Sequence, residues 1–233
     1  MMQIIKQEFS DRVDEINRYF QLLENITEKD AQLIFPNESD RRENLNIRLG
    51  LTLKSGLILL LYNLVESSIS KCLGAIHQSL TDENLSYFQM SDDLQKIWLK
   101  YHYELLNDNG NNNDRNISQL QTMVEILSTN KTVIISLDDS KKLSESLYSG
   151  NLDAKEIRKI AKKYGVSFEL ESKEIRFVEQ MRNKLAHGEV SFEEGCQDKP
   201  IQYMRKVKDE TINFINEFTI AVENFITERK YKK

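Results

Sequence analysis

An arginine and a histidine five positions apart, Arg182 and His187, stand where the pattern predicts the end of a helix, with Asn183 directly after the arginine. These residue types suit one kind of chemistry. A histidine can move a proton near neutral pH, and a guanidinium can stabilise the negative charge that builds on phosphorus. Cleavage of RNA through its own 2′-hydroxyl needs little more, and no metal. Gly188 follows at once as a helix stop signal. His187 then falls in the last turn, where the carbonyl end of a helix attracts a cation.

Geometry constrains that chemistry. Five helical steps rotate by about 140°, so Arg182 and His187 do not share a face of a regular helix, whereas Asn183 and His187, four apart, do. Ile175, Val178, Met181 and Leu185 form the apolar stripe, with Arg182 at its edge and His187 pointing away. One copy makes a poor closed site. Two copies facing each other across a symmetric dimer could assemble a complete one, lined by both histidines and both arginines. On spacing alone, an arginine snorkelling beside the core and a histidine near a helix cap are the more ordinary reading.

Other polar residues are candidate supporting groups: Asn63, Glu66 and Lys184. Asn63 and Glu66 lie in an otherwise apolar stretch, followed by Ser70, so this polar strip must find partners or face a groove. Glu66 either lines the same cleft as His187 or joins a structural hydrogen-bond network. Tyr62 reads as core. His77 and His102 have no ligand-like neighbours, and the sequence shows no zinc spacing, phosphate-binding glycine loop or nucleophile elbow. The expectation is a site without metal or cofactor.

The elements that must position these residues read as helices. Ile5, Phe9, Val13, Ile16 and Phe20 give residues 3–25 one apolar face. Residues 27–40, polar and containing Pro36, read as a connection with at most a short helical turn. A long helix follows from about Arg42 or Leu51 to Leu80, with a stripe of Leu61, Val65, Ile69, Cys72, Ile76 and Leu80. A third spans residues 92–106. Residues 107–116 hold six asparagines, two aspartates and a glycine and read as a surface loop. Residues 116–171 read as an insertion into the bundle: a helix over 117–127, a β-branched strand-like stretch over 132–137, a helix between Asp153 and Gly165, and alternating Val166, Phe168 and Leu170, suggesting a small two-stranded sheet. The bundle resumes over 172–187 and ends with a helix over 201–229. The whole, residues 1–233, reads as one all-α helical domain with a small α/β insertion at about 116–171. Arg229, Lys230, Lys232 and Lys233 form a modest basic patch at the tail.

Composition agrees with a helical protein. Charged residues make up 30%, with 8 glycines and 2 prolines among 233 residues. The net charge of −5 means that any contact with nucleic acid must come from a local patch. Cys72 and Cys196 are far apart and in no metal-ligand spacing, which fits reduced thiols in a cytoplasm. Lys6, Glu8, Asp11 and Arg12 interrupt any early apolar run, and the apolar stretch 57–65 is too short to span a bilayer, so no membrane partner is expected. Residues 157–167 resemble the opening of a helix-turn-helix, but acidic, strand-like Phe168-Glu169-Leu170-Glu171 follows where a recognition helix belongs. The lysines there either help to hold RNA phosphates or form a solvated face.

The pattern Arg-x4-His with Asn183 resembles the signature of the HEPN superfamily. The stretch Leu59-Leu60-Leu61-Tyr62-Asn63-Leu64-Val65-Glu66-Ser67, together with Arg182-Asn183-Lys184-Leu185-Ala186-His187-Gly188-Glu189 and Ser191-Phe192, is similar to the MAE-type branch of HEPN-like nucleases. The likeness covers most of the chain, including Ser149-Gly150-Asn151. It implies an up-and-down helical bundle that dimerises, with Arg182 and His187 matching the catalytic pair and Asn183 the polar residue beside the arginine. It also implies metal-independent cleavage of RNA to cyclic-phosphate and 5′-hydroxyl ends, and a role as a toxin or antiviral effector with an antitoxin or defence-system partner. A non-catalytic HEPN module that binds a nucleotide, RNA or protein is the alternative. HEPN toxins silenced by nucleotide transfer carry a tyrosine two residues after the histidine. Glu189 stands there, so that form of control is not expected.

Overall fold

Apolar residues at three- and four-residue steps dictate most of the architecture, which a computed structural model shows to be all-α. It describes residues 1–29, 31–35, 37, 41–108, 112–135 and 151–233. In chain order the elements are α1 (Met2–Glu28), β1 (Gln32–Phe35), β2 (Arg41–Asn44), α2 (Ile47–Asp82), α3 (Asp92–Asp108), α4 (Asn113–Thr129), α5 (Ala154–Tyr164), α6 (Lys173–Ala186), α7 (Phe192–Gly195) and α8 (Ile201–Thr227).

The chain forms two compact units, and α2 and α8 each contribute to both. The unit that carries Arg182 comprises Gln3–Ser67 and Ser172–Ile215. Its core draws Ile16, Phe20 and Leu23 from α1, Leu57, Ile58, Leu61, Tyr62 and Leu64 from α2, Val178 and Leu185 from α6, and Met204 and Val207 from α8. Burial of these side chains supplies the main driving force, at about 1.5–3 kcal/mol for each large aliphatic or aromatic group. The most apolar 18-residue stretch of α2 has a mean hydropathy of 1.4, long and apolar enough for a bilayer by composition, but half of it is buried within the protein. It serves as a core helix.

The other unit comprises Met1–Met2, Ser68–Glu171 and Asn216–Lys233. Ile69, Cys72, Leu73 and Ile76 of α2, Trp98 of α3, Ile157, Ile160 and Tyr164 of α5, and Phe218, Val222 and Phe225 of α8 are buried there. Asp153 caps α5 by accepting a 2.7 Å hydrogen bond from the Glu156 amide, and Gly165 ends the helix at φ +74°. Both ends fall where the sequence placed them.

Two expectations are corrected. Among the described residues the small sheet is not in the 116–171 insertion: the paired strands are β1 and β2, antiparallel with Gln32 opposite Asn44 and Phe35 opposite Arg41, β1 in the segment expected as a connection and β2 directly after it. Pro36 lies outside the described residues. In the insertion, Thr132 makes an isolated antiparallel bridge with Ser86, residues 136 and 137 lie outside the described residues, and the stretch with Val166, Phe168 and Leu170 has no ladder partner among the described residues. Its alternation is still real, because Val166 and Phe168 are buried and Leu170 is exposed; Phe168 meets Phe218 edge to face instead. The basic residues of the tail are paired with acids. Arg229 and Lys232 pair with Glu83, Lys230 with Glu228, and Lys233 with Asp92, while Tyr231 is buried and donates to Glu83 at 2.5 Å. Ser149 and Gly150 also fall outside the described residues.

Candidate functional site

Helix α6 is defined by strong local signals at both ends. Ser172 is its N-cap, its hydroxyl accepting from the Ile175 amide at 3.3 Å. At the other end the Gly188 amide donates to the Leu185 carbonyl at 3.2 Å and the Glu189 amide to the Lys184 carbonyl at 2.9 Å. This is a Schellman closure, and it requires the left-handed backbone that Gly188 adopts at φ +69°. His187 is thereby the cap residue, its own amide bonded to the Asn183 carbonyl at 3.0 Å. Helix α7 follows closely, started by a capping box between Ser191 and Glu194. Gly195 at its end leaves little room: a Cβ there would lie 2.8 Å from Ser55 Oγ and 3.2 Å from Leu185 Cδ2.

Ile175, Val178 and Leu185 seat α6 in the core, and the adjoining strip carries Glu179, Arg182 and Asn183. The Arg182 guanidinium lies over the ring of Tyr62, 4.4 Å from Cζ to the ring centre. Nη1 donates to Asn183 Oδ1 at 3.0 Å, and Asn183 Nδ2 donates in turn to Glu179 Oε1 at 2.6 Å. Nη2 stands 3.7 Å from Glu66 Oε1, an ion pair beyond hydrogen-bonding distance. Tyr62 and Glu66 are one turn apart on α2, so a single face of that helix supplies both the aromatic surface and the carboxylate.

The structure thus joins Arg182, Asn183 and Glu66 of the sequence-predicted residues. It leaves three others outside that network: Asn63, Lys184 and His187 are exposed. No side-chain hydrogen bond or ion pair connects His187 to Arg182 among the described residues. Glu66 sits with Arg182 rather than in contact with His187.

Two participants were not singled out as site residues from the sequence. Tyr62 is core, as expected, yet its ring face also carries the guanidinium. Glu179, 8% exposed, went unnoticed, although its position four before Asn183 is the helical spacing at which a carboxylate meets an amide. The pair of Arg182 with Glu66, 30% and 37% exposed, contributes about 0–1 kcal/mol. Among the described residues no three His, Cys, Asp or Glu side chains gather as metal ligands would.

The other two histidines belong to the second unit. His77 Nε2 is 2.9 Å from Tyr164 Oη, and Gln119 Nε2 lies 2.5 Å from His102 Nδ1. Burial pushes each imidazole down to about 4. Both are neutral structural groups near neutral pH.

Residues 1–231 match the family model described as MAE_28990-like HEPN. The chain belongs to this HEPN family, nearly over its full length. No curated protein and no solved structure matches it.

Proposed function

We propose that the protein is a metal-independent endoribonuclease of HEPN type, with Arg182 and His187 as its catalytic pair and Asn183 as the residue that orients the arginine. The observation that carries this reading is the held guanidinium: stacked on Tyr62, bonded along one edge to Asn183, and only loosely engaged by Glu66 along another. In the reaction the 2′-hydroxyl oxygen attacks phosphorus as His187 takes its proton. Arg182 stabilises the added negative charge on the phosphoryl oxygens. The P–O5′ bond breaks, and O5′ takes a proton, leaving a 2′,3′-cyclic phosphate and a 5′-hydroxyl end. Because His187 and Arg182 diverge on α6, the complete site is assembled from two copies of the chain, whose second histidine protonates the leaving oxygen. A toxin or antiviral-defence role, restrained by an antitoxin or defence-system partner, follows from such an activity.

Incubation of the protein with total RNA tests this reading. Cleavage is expected to persist in excess chelator, to yield cyclic-phosphate ends, and to fall at least about 100-fold in His187→Ala and Arg182→Ala. Cleavage that needs a divalent ion, or that survives both substitutions in folded protein, overturns it. The second reading is a non-catalytic HEPN module that binds a nucleotide, RNA or protein. The absence of a contact between Arg182 and His187 favours it, and stable RNA binding without cleavage would establish it.

A further inference from the structure

We infer that Tyr62 and Glu179 are positioning residues that hold the Arg182 guanidinium in the orientation its role requires, an inference that rests on the nuclease reading for its catalytic consequence. A guanidinium has two kinds of surface, a flat face and an edge of N–H donors, and the face and one nitrogen of that edge are engaged here. The face lies on Tyr62, whose ring is 1% exposed and therefore cannot turn away without disturbing the core.

The edge is fixed through a relay with a single polarity. Glu179 as a carboxylate can only accept, and Arg182 can only donate. Asn183 between them must therefore present its amide N–H to Glu179 and its oxygen to Arg182. The observed bonds run in that sense, 2.6 Å from Asn183 Nδ2 to Glu179 Oε1 and 3.0 Å from Arg182 Nη1 to Asn183 Oδ1. Glu179 thus acts on Arg182 through Asn183. Its burial in the first layer beneath the surface keeps water from competing for the Asn183 amide. Nη2, facing Glu66 at 3.7 Å, is the part of the guanidinium left to meet a phosphate.

Four variants test the inference: Tyr62→Leu and Tyr62→Phe, Glu179→Leu and Glu179→Gln, each first shown to be folded by circular dichroism. With a labelled RNA oligonucleotide as substrate, the two leucine variants are expected to lose about tenfold or more in kcat with KM changed by less than about threefold. The phenylalanine variant keeps the ring and the glutamine variant keeps an acceptor, so both should retain kcat to within about threefold. Leucine variants with wild-type kcat, or a glutamine variant as slow as the leucine one, overturn it. A second readout does not depend on catalysis. The side-chain protons of Arg182, assigned by comparison with Arg182→Lys, should be shifted upfield by the Tyr62 ring current in wild type and in Tyr62→Phe, and not in Tyr62→Leu. Wild-type protein that leaves RNA intact refutes the nuclease reading, whereas an unshifted Arg182 signal refutes the positioning itself.

Discussion

Lowering the pH is expected to unfold the second unit from within, through His77 and His102. Each imidazole has an ordinary value of 6.5 and is pushed by burial to about 4. The unfolded chain therefore binds protons that the folded one refuses. The stability each neutral histidine contributes is complete above pH 6.5, the unfolded value, and is lost as the pH falls through the window down to about 4. Between pH about 7 and about 5 the linkage amounts to about 2 kcal/mol for each histidine, about 4 kcal/mol for the two. That is a large part of the roughly 5–15 kcal/mol that holds a typical domain together. Glu83, Asp92, Glu174, Glu194 and Asp198 have carboxyls held below their ordinary values of 4.5 and 3.8 by lysine or serine partners, so their contribution is lost only at lower pH. The assay follows from the sequence. Trp98 is the single tryptophan, is buried in this unit, and has its ring 4.2 Å from that of His102. Urea unfolding followed by Trp98 fluorescence should show the fall, and His77→Gln and His102→Gln should each reduce it by about half. Equal stability at the two pH values, or an undiminished fall in both variants, would refute the assignment of neutral buried histidines.

Three further outcomes concern the site and its support. Gly195→Ala should destabilise by about 1–3 kcal/mol in thermal or urea unfolding, because the added Cβ would lie 2.8 Å from Ser55 Oγ. Gly188→Ala meets no neighbour within 4 Å but forces an alanine to φ +69°, so a loss of about 1 kcal/mol is expected, traceable to the backbone alone. Glu66→Gln should leave stability within about 0.5 kcal/mol and, on the nuclease reading, lower KM for RNA by up to about fivefold by freeing Nη2 of Arg182; a raised KM would make Glu66 a substrate contact instead.

What the sequence made legible is what depends on local rules. Asp153, Gly165, Ser172 and Gly188 mark helix ends through bonds to residues three to five positions away, and each does so in the structure. The periodic stripes of α1 and α2 predict buried faces because a helix rotates by a fixed step. β1 and β2 escaped because Arg41–Asn44 contains no β-branched or aromatic residue; its pairing rests on backbone bonds and on cross-strand contacts such as Gln32 to Asn44 at 2.7 Å. The partners of Lys232 and Lys233 were not legible because Glu83 and Asp92 are more than a hundred residues away in sequence. Tyr62 read as core from its apolar surroundings, but no sequence pattern says what will lie on the face of its ring. Glu179 was missed for a related reason: spacing allows its bond to Asn183 but does not require it.

The contrast between the two principal residues of α6 is itself informative about their proposed roles. A group that stabilises developing charge works by being in place before the charge appears, since any reorientation during the reaction subtracts from its effect. Arg182 meets that demand, with its face against a buried ring and its edge in a bonded relay. A proton carrier has a different task. It must reach one oxygen to take a proton, and the imidazole can turn about two bonds to do so, provided its backbone is anchored. His187 has an anchored backbone, closed by the bonds of Gly188 and Glu189 and followed at once by the seated α7, beneath an exposed side chain. The same helix therefore fixes one side chain and leaves the other open.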